Sequence, residues 1–322
     1  MNDQPAVQYG STTGQREDED FRLKIMPVSC LSLAKDEILG FCEKCNLSAF
    51  EKKTYIDGSM LDLPELSFQP ISIIVIIAKM GLKTAVFHRD GKQVTNLFRV
   101  REISIEDYLN DRFTKRGYHL ENARTLPQKR LAVGAGLVKY GKNNLTYADG
   151  WGSFIQLETY LSDAPCTEGF VWGEVKNMEQ CESCGACARL CPGGAITEDR
   201  FLLDINRCHG WLDVIGKLPE TAAHTIGPCM VCQTNCPKNS RWRMEAATVV
   251  FSEQETAQLM SIHGMPKNTF PLSSEETGKL LSDMGLSKEC IDKLFMLNIY
   301  PWTLKDIPHK LRHMFTYSAV SM

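Results

Sequence analysis

Eight cysteines in two short blocks constrain this chain more than any other feature of its sequence. The first block, CESCGACARLCPGG, has the spacing C-x₂-C-x₂-C-x₃-C, and its fourth cysteine directly precedes a proline. The second block, CMVCQTNCPKN, also ends in Cys-Pro, and a single cysteine lies between the two blocks. Eight thiolates make two sets of four, which is the number that two [4Fe–4S] clusters require. The eight are Cys181, Cys184, Cys187, Cys191, Cys208, Cys229, Cys232 and Cys236.

The spacing also predicts how these cysteines divide between two clusters. In the C-x₂-C-x₂-C-x₃-C-P run of two-cluster ferredoxins, the fourth cysteine binds the other cluster. Small residues within the blocks, such as Gly193 and Gly194, let the backbone approach a cluster closely. Zinc is the alternative, since C-x₂-C pairs also build closed tetrahedral sites, but the repeated Cys-Pro ending favours clusters. We predict one set of Cys181, Cys184, Cys187 and Cys236, and a second set of Cys191, Cys208, Cys229 and Cys232.

Composition restricts the compartment and the partners. The chain has 322 residues and thirteen cysteines, and its length and cysteine spacing argue against a secreted disulfide scaffold. The amino-terminal residues are polar and show no apolar leader, so we expect a cytoplasmic protein. The longest apolar run, Ile71–Met80, is too short to cross a bilayer, so no membrane association is expected. A net charge of −3 gives no support for DNA binding.

Patterning along the chain predicts a mixed α/β architecture in four segments. These are a disordered tail (1–20), an α/β domain for cofactor and substrate (21–165), a two-cluster ferredoxin-like module (166–240) and a helical segment (241–322). Strands are predicted at Ile71–Ala78, Thr84–His88, Val94–Val100 and Gly152–Ser162. Helices are predicted from Ser104 to Arg116, from Gln128 to Tyr140, and after the caps Ser252 and Ser273.

Five further cysteines lie outside the two blocks. Cys42 and Cys45 form a C-x₂-C pair in a segment of helical spacing, and either a redox or metal role or two core-facing thiols would account for them. Cys30, Cys166 and Cys290 stand alone and are predicted to be structural.

Two segments upstream of the cysteine blocks carry a family resemblance. The segments AVGAGLVKYGKNNL (132–145) and GSFIQLETYLSDAP (152–165), followed by the cysteine blocks, resemble the epoxyqueuosine reductase-like family, relatives of the reductive dehalogenases. The resemblance covers about residues 71 to 239. It implies a nitroreductase-like cobalamin domain with an inserted ferredoxin-like module. It also implies that Gly136, Gly141, Lys142 and Asn143 contact a corrinoid, whereas a glycine helix cap followed by a solvated turn is the plain structural reading.

The chain departs from that family at two places. Val138 stands where the family commonly has the second glycine of AGLG, and the family's Asp-Tyr-His proton-donor stretch is not found. The remaining candidates for a proton donor are Tyr118, His119 and Tyr147. We therefore expect a divergent member with a changed substrate.

Three functional hypotheses follow. In the first, a low-potential donor of the ferredoxin or flavodoxin type reduces the two clusters, which pass electrons to a bound corrinoid. The corrinoid then reduces a small organic molecule or a modified nucleoside. In the second, the chain is a non-catalytic electron carrier that reduces or reactivates a partner's metal or corrinoid centre. In the third, the chain is a nucleic-acid modification factor with a basic groove.

Overall fold

The computed structural model describes residues 19–57, 61–198, 200–222, 225–240, 246–263, 273–299 and 304–317. The tail predicted for residues 1–20 lies outside these ranges except for its last two residues. Two compact units are present. The first takes its described residues from Met1–Lys79, Ile103–Cys184 and Glu198–Leu202, and the second from Met80–Glu102, Gly185–Thr197 and Leu203–Met322. Both units are discontinuous along the chain, whereas the four predicted segments are continuous, and those boundaries stay predictions.

The described strands and helices alternate irregularly along the chain. The strands are β1 (Phe21–Pro27), β2 (Ser72–Lys79), β3 (Gly81–Arg89), β4 (Lys92–Val100), β5 (Leu120–Asn122), β6 (Lys139–Tyr140), β7 (Thr146–Tyr147), β8 (Ile155–Ser162) and β9 (Ala247–Phe251). The α-helices are α1 (Cys30–Lys44), α2 (Ala49–Lys52), α3 (Ile105–Arg112), α4 (Gln128–Gly134), α5 (Cys181–Cys184), α6 (Ala186–Leu190), α7 (His209–Val214), α8 (Val231–Thr234), α9 (Glu253–Met260), α10 (Ser274–Asp283), α11 (Lys288–Met296) and α12 (Ile307–Tyr317). Short non-α turns of helix lie at Lys53–Asp57, Thr114–Arg116 and Pro237–Asn239.

An antiparallel sheet of order β1-β2-β8-β5 forms the centre of the first unit. Seven consecutive residues of β2 are buried, and successive side chains enter two different cores. Ile73, Val75 and Ile77 pack with residues of α1 and α4, whereas Ile74 and Ile76 pack with residues of α3. The strand predicted from its β-branched run is therefore confirmed, and it is buried on both faces because helices cover both sides of the sheet.

The second unit is built on the predicted hairpin. Strands β3 and β4 pair antiparallel with Arg89 opposite Lys92, so Asp90 and Gly91 form a two-residue turn. Both turn residues have positive φ, 52° and 71°, as this tight hairpin requires. Strand β9 pairs parallel with β3, and Phe251 stacks on Phe87 with ring centroids 4.8 Å apart. Helices α9 to α12 contribute to the same core.

Most predicted helix starts are confirmed. The backbone amide of Asp107 donates to Ser104 Oγ at 3.1 Å, and Gly117 ends the following short 3₁₀ turn with φ +89°. Ser252 and Ser273 each form a capping box with a glutamate three residues later. No helix among the described residues is long and apolar enough to span a bilayer.

The helix predicted from Gln128 to Tyr140 is wrong in its second half. Helix α4 ends at Gly134, and Gly136 turns the chain with φ +73°. Residues Lys139 and Tyr140 then form β6, which pairs with β7 as a small hairpin. A glycine in left-handed conformation ends a helix even where the apolar pattern continues. The strand predicted to begin at Gly152 begins instead at Ile155.

Candidate functional site

Two of the cysteines predicted for the second cluster, Cys191 and Cys208, lie within electrostatic reach of a third, Cys229. Cys191 follows α6, Cys208 is the N-cap of α7, and Cys229 lies just before α8. Burial raises the pKa of the Cys229 thiol, the Val231 amide lowers it, and the nearby Cys208 and Cys191 raise it further. The fourth cysteine of the set, Cys232, lies within α8. All of these residues belong to the second unit.

Close backbone packing holds these loops together. A Cβ atom at Gly193 would overlap the backbone oxygen of Arg207 and lie 3.0 Å from Cδ2 of His209. Gly210 packs against the backbone of Cys229, since a Cβ there would lie 3.4 Å from its carbonyl oxygen. The turn after Cys191 and the segment at Arg207 before α7 therefore approach at a distance that only glycine allows, whereas the turn at Cys229 lies in ordinary van der Waals contact with Gly210.

Several N–H groups in this region suit a sulfur-rich cofactor. The backbone amide of Ala195 donates to Cys191 Sγ at 3.2 Å. Among the described residues, the buried Nδ1 of His209 and Nε1 of Trp211 have no hydrogen-bond partner. A buried indole N–H without a partner is costly, and iron–sulfur clusters accept hydrogen bonds at their sulfur atoms. The residues of the second set therefore fit a [4Fe–4S] cluster.

The first predicted set is divided between the units. Cys181 and Cys184 bound α5 in the first unit, whereas Cys187 and Cys236 belong to the second unit. Their grouping around one cluster stays a prediction. All thirteen cysteines are among the described residues, and none of them forms a disulfide.

The described residues contain no group of three or more His, Cys, Asp or Glu side chains that could hold a single metal ion. A four-iron cluster presents separate iron atoms to its thiolates, so its ligands do not converge on one point.

The structure brings together most of the positions that the family resemblance implies for a corrinoid. Asn143 is buried, and its Nδ2 donates to the hydroxyl of Tyr147 at 3.0 Å. A Cβ atom at Gly141 would lie 2.5 Å from Cε2 of Tyr147, so the glycine makes room for this ring. Lys142 pairs with Glu198 at 2.9 Å.

Each of the four positions also has a role in the protein's own structure, and their contact with a corrinoid stays a prediction. The polar side chains of Lys142 and Asn143 already have protein partners, and the space at Gly141 is taken by Tyr147. Gly136 adopts a positive φ in the turn that ends α4. Each residue is therefore explained by its local packing and hydrogen bonding.

The other proposed proton donors lie beside β5. Tyr118 packs against the core of α3 with its ring 6.5 Å from that of Phe113. His119 is largely exposed, stacks on Phe68 at 5.0 Å, and places Nδ1 2.7 Å from Oδ2 of Asp163. Although burial opposes the shift, hydrogen bonds from His119 hold the pKa of Asp163 below its usual range. Asp163 is the aspartate of the LSDAP segment, so the structure links that segment to His119.

A cavity of about 260 Å³ lies in the first unit and was not predicted from the sequence. Four aromatic residues line it, namely Phe41, Tyr55, Tyr140 and Phe201. The ring centroid of Phe201 lies 5.0 Å from that of Phe41 and 5.0 Å from that of Tyr140. Burial is the largest cause that raises the pKa of Tyr140. Arg130 and Lys129, neighbours at the start of α4, add two cations to the lining.

Cys42 also lines this cavity and is buried, and burial together with nearby Cys45 raises the pKa of its thiol. A raised pKa disfavours the thiolate, which is the reactive form of cysteine. The predicted choice between a redox pair and two core thiols remains open.

Sequence reasoning missed Arg130, His209 and Trp211. The sequence HGW directly after Cys208 was the available signal for His209 and Trp211. Polar groups next to a cluster-ligating cysteine often lie close to the cofactor that it binds. Arg130 stands beside Lys129 before an apolar stretch, and only tertiary contacts show that it is buried.

Comparison with known proteins identifies one domain in this chain and several proteins of similar sequence. Residues 174–197 match the model of the 4Fe-4S binding domain. The chain is 29% identical over 161 residues to epoxyqueuosine reductase of Shewanella oneidensis, covering 46% of this chain and 39% of that protein. It is 28% identical over 171 residues to epoxyqueuosine reductase of Bacillus anthracis, covering 51% and 43%. The chain thus spans about two fifths of the length of these curated relatives.

Solved structures of epoxyqueuosine reductases are also similar to this chain. The Streptococcus thermophilus structure has a TM-score of 0.48 at 13% identity and covers 93% of this chain and 79% of that one. The Bacillus subtilis structure has a TM-score of 0.46 at 17% identity with the same coverage.

The family resemblance read from the sequence agrees with the curated relatives. The match at residues 174–197 overlaps the first cysteine block, where the sequence predicts cluster ligands. The chain therefore carries a 4Fe–4S binding domain and is similar in sequence, over about half of its length, to epoxyqueuosine reductases.

Proposed function

We propose that this chain is an iron–sulfur reductase that carries electrons through two [4Fe–4S] clusters to an organic substrate. One observation carries the proposal: a 4Fe–4S binding domain lies within a stretch that is related in sequence to epoxyqueuosine reductases. The eight-cysteine pattern provides ligands for a second cluster in addition to the one implied by the matched domain. A low-potential donor of the ferredoxin or flavodoxin type would supply the electrons.

The second ligand set is the better supported of the two. Cys191 and Cys208 lie within electrostatic reach of Cys229, and Gly193 allows close backbone packing beside them. Within the described part of the chain, the buried Trp211 N–H and the buried Nδ1 of His209 have no hydrogen-bond partner. When bound, a [4Fe–4S] cluster supplies one-electron transfer, and N–H groups near its sulfur atoms stabilise the reduced, more negative state. The role of this chain's residues is to bind the cluster, exclude water and set the reduction potential of the cluster.

The proposed substrate class is a modified nucleoside or another small molecule with a reducible group. The curated relatives are named for epoxyqueuosine, whose epoxide is the reducible group. Reduction of an epoxide to an alkene takes up two electrons and two protons and releases one water molecule. Each substrate therefore needs two successive one-electron transfers from the clusters.

A proton donor is needed at the substrate, and His119 has the most suitable geometry of the three proposed residues. Asp163 binds Nδ1 of His119 at 2.7 Å, so the carboxylate fixes the ring orientation and leaves Nε2 on the opposite side. Tyr147 is buried and bonded to Asn143, and Tyr118 packs into the core of α3. We propose His119 as the proton donor, with Tyr118 and Tyr147 as alternatives.

No step of this proposal passes through a corrinoid. The residues that the resemblance implies for cobalamin are engaged with protein partners. The cavity in the same unit, about 260 Å³, is smaller than typical sites for drug-sized ligands and far smaller than a corrinoid needs. A requirement for cobalamin is therefore tested by experiment and is not part of the proposed mechanism.

The test begins with anaerobic reconstitution of the full chain with iron and sulfide. The chemically reduced protein is then mixed with an RNA stem-loop that contains epoxyqueuosine, once without and once with added cobalamin. We expect loss of one oxygen atom from the nucleoside, measured by mass spectrometry, in both reactions. His119→Gln is expected to slow this step while leaving the iron content unchanged, and Lys115→Gln, another exposed change in the same unit, serves as its control.

The electron-carrier hypothesis predicts a different result. Both clusters would then be reducible, yet the nucleoside would remain unchanged with and without cobalamin. Reaction only in the presence of cobalamin would contradict the corrinoid-free mechanism and restore the corrinoid hypothesis.

A further inference from the structure

We propose that the aromatic cavity of the first unit is a binding site for a small planar aromatic acid, a single ring or fused bicycle that carries one carboxylate. The proposal does not depend on the reductase function, because all of the cavity-lining residues lie in the first unit and none is a predicted cluster ligand. It depends on the shape of the cavity, on its charge and on one arginine.

The walls suit a flat ring. Phe41, Tyr140 and Phe201 line the cavity, and Phe201 meets Tyr140 edge to face, with an angle of 88° between the ring planes. Aromatic rings favour offset or edge-to-face partners, so a planar ligand gains specific contacts as well as apolar burial. A volume of about 260 Å³ lies just below the range of sites for drug-sized molecules, which limits the ligand to one or two rings.

Arg130 lines this cavity and carries an unused donor. Its side chain is 2% exposed. Its Nε donates to Glu37, and its Nη2 donates to the carbonyl oxygen of Gly173 at 2.9 Å. The guanidinium also lies 4.4 Å from the ring centroid of Trp172. Among the described residues, Nη1 has no hydrogen-bond partner.

A buried guanidinium N–H without a partner carries a large desolvation cost, since donors on charged groups lose strong hydrogen bonds with water. The other contacts of Arg130 hold its side chain in place, so Nη1 cannot turn elsewhere without breaking them. Because the residue lines the cavity, an acceptor oxygen on a bound ligand would satisfy this donor.

The net charge at the cavity favours an anion. Glu37 neutralises the charge of Arg130, and although its burial opposes the shift, hydrogen bonds from Arg130 and Trp172 keep the pKa of Glu37 low. Lys129 donates to the backbone oxygen and the side-chain Oδ1 of Asn144, both at 2.9 Å. No carboxylate of the described residues forms an ion pair with Lys129. Burial lowers the pKa of Lys129 to about 8, so at neutral pH one positive charge remains for a ligand carboxylate.

The test is calorimetric titration of the full, cluster-loaded protein with three aromatic acids, namely indole-3-carboxylate, benzoate and nicotinate. The neutral indole-3-carboxamide is the matched ligand. We expect at least one acid to bind with a dissociation constant below about 1 mM. We expect the carboxamide to bind about 10- to 100-fold more weakly than its acid, as loss of a charge-assisted bond predicts.

Two variants test the location. Leu202→Trp places a large ring at a half-buried position of the cavity wall and is expected to abolish binding. Arg130→Gln is expected to weaken binding of the acid at least tenfold and that of the carboxamide by a smaller factor, because only the acid forms a charge-assisted bond. Arg124→Gln, at an exposed arginine of the same unit, is expected to have no effect.

Circular dichroism, measured for every variant, reports whether it folds, and Leu202→Trp carries the test alone if Arg130→Gln does not fold. The proposal is overturned if none of the three acids binds with a dissociation constant below about 1 mM, if acid and carboxamide bind equally, or if Leu202→Trp binds like the unchanged protein. None of these results bears on cluster reduction, so the reductase proposal would stand.

Discussion

Replacement of Cys208 by serine tests the division of the cysteines into two ligand sets. Each [4Fe–4S] cluster needs four thiolates, so two clusters hold about eight iron atoms per chain. A serine hydroxyl is not ionised at neutral pH and does not replace the thiolate that faces Cys229 and Cys191. The second set then keeps three cysteines, while the first set keeps all four. We expect iron to fall from about eight to about four atoms per chain.

The measurement is iron and sulfide analysis of anaerobically reconstituted protein, followed by electron paramagnetic resonance after reduction. The resonance should change from about two spins per chain to about one. Cys166→Ser is the matched control, because Cys166 is a half-buried cysteine outside both sets. Full iron retention in Cys208→Ser would refute the ligand assignment. Complete loss of iron would refute the independence of the two sites.

Three further outcomes are expected. Trp211→Phe should lower the reduction potential of one cluster by about 20–60 mV in a redox titration. A hydrogen bond to a charged group contributes about 1.5–3 kcal/mol, and part of this energy differs between the oxidised and reduced cluster. An unchanged potential would contradict the proposed N–H contact. Gly193→Ala should prevent iron loading of the second set, because its Cβ would overlap a backbone oxygen, whereas Gly40→Ala, which meets nothing within 4 Å, should load normally. The lowered pKa of Asp163 stabilises the fold above about pH 3.9, its unfolded value, and this stabilisation is lost as the pH falls through the folded-state pKa. Urea unfolding of His119→Gln should therefore show a smaller decrease in stability on acidification than the unchanged chain shows, and equal decreases would contradict this linkage.

Local patterns were sufficient to predict the elements whose structure depends on neighbouring residues. The β3–β4 hairpin follows from a turn that needs two positive φ angles, and Asp90-Gly91 is a sequence that accepts them. Strand β2 follows from its β-branched run. The second half of the predicted helix from Gln128 failed because the apolar spacing continues past Gly136 although the backbone reverses there. Apolar periodicity reports burial, and a buried turn has the same apolar residues as a buried helix.

The candidate sites, like the secondary structure, could be predicted from the sequence only in part. Iron–sulfur chemistry was readable from the sequence, because cysteine spacing restricts which thiolates can reach one cluster, and the matched 4Fe-4S binding domain at 174–197 agrees with it. The positions taken from the family resemblance could be named, but their roles could not, since the contact between Asn143 and Tyr147 forms only when the β6–β7 hairpin closes.

The sequence by itself determined the cofactor type and the relationship to epoxyqueuosine reductases, because ligand identity and spacing are properties of short segments. Only the tertiary structure decided the local environment of those residues. Burial of Arg130 between Glu37, Trp172 and Gly173 requires residues more than 40 positions away in each direction of the chain. The close approach of Gly193 to His209 likewise depends on tertiary packing, because these residues lie 16 positions apart in the chain. Burial, pKa and hydrogen-bond satisfaction arise from such distant contacts, so no local pattern encodes them.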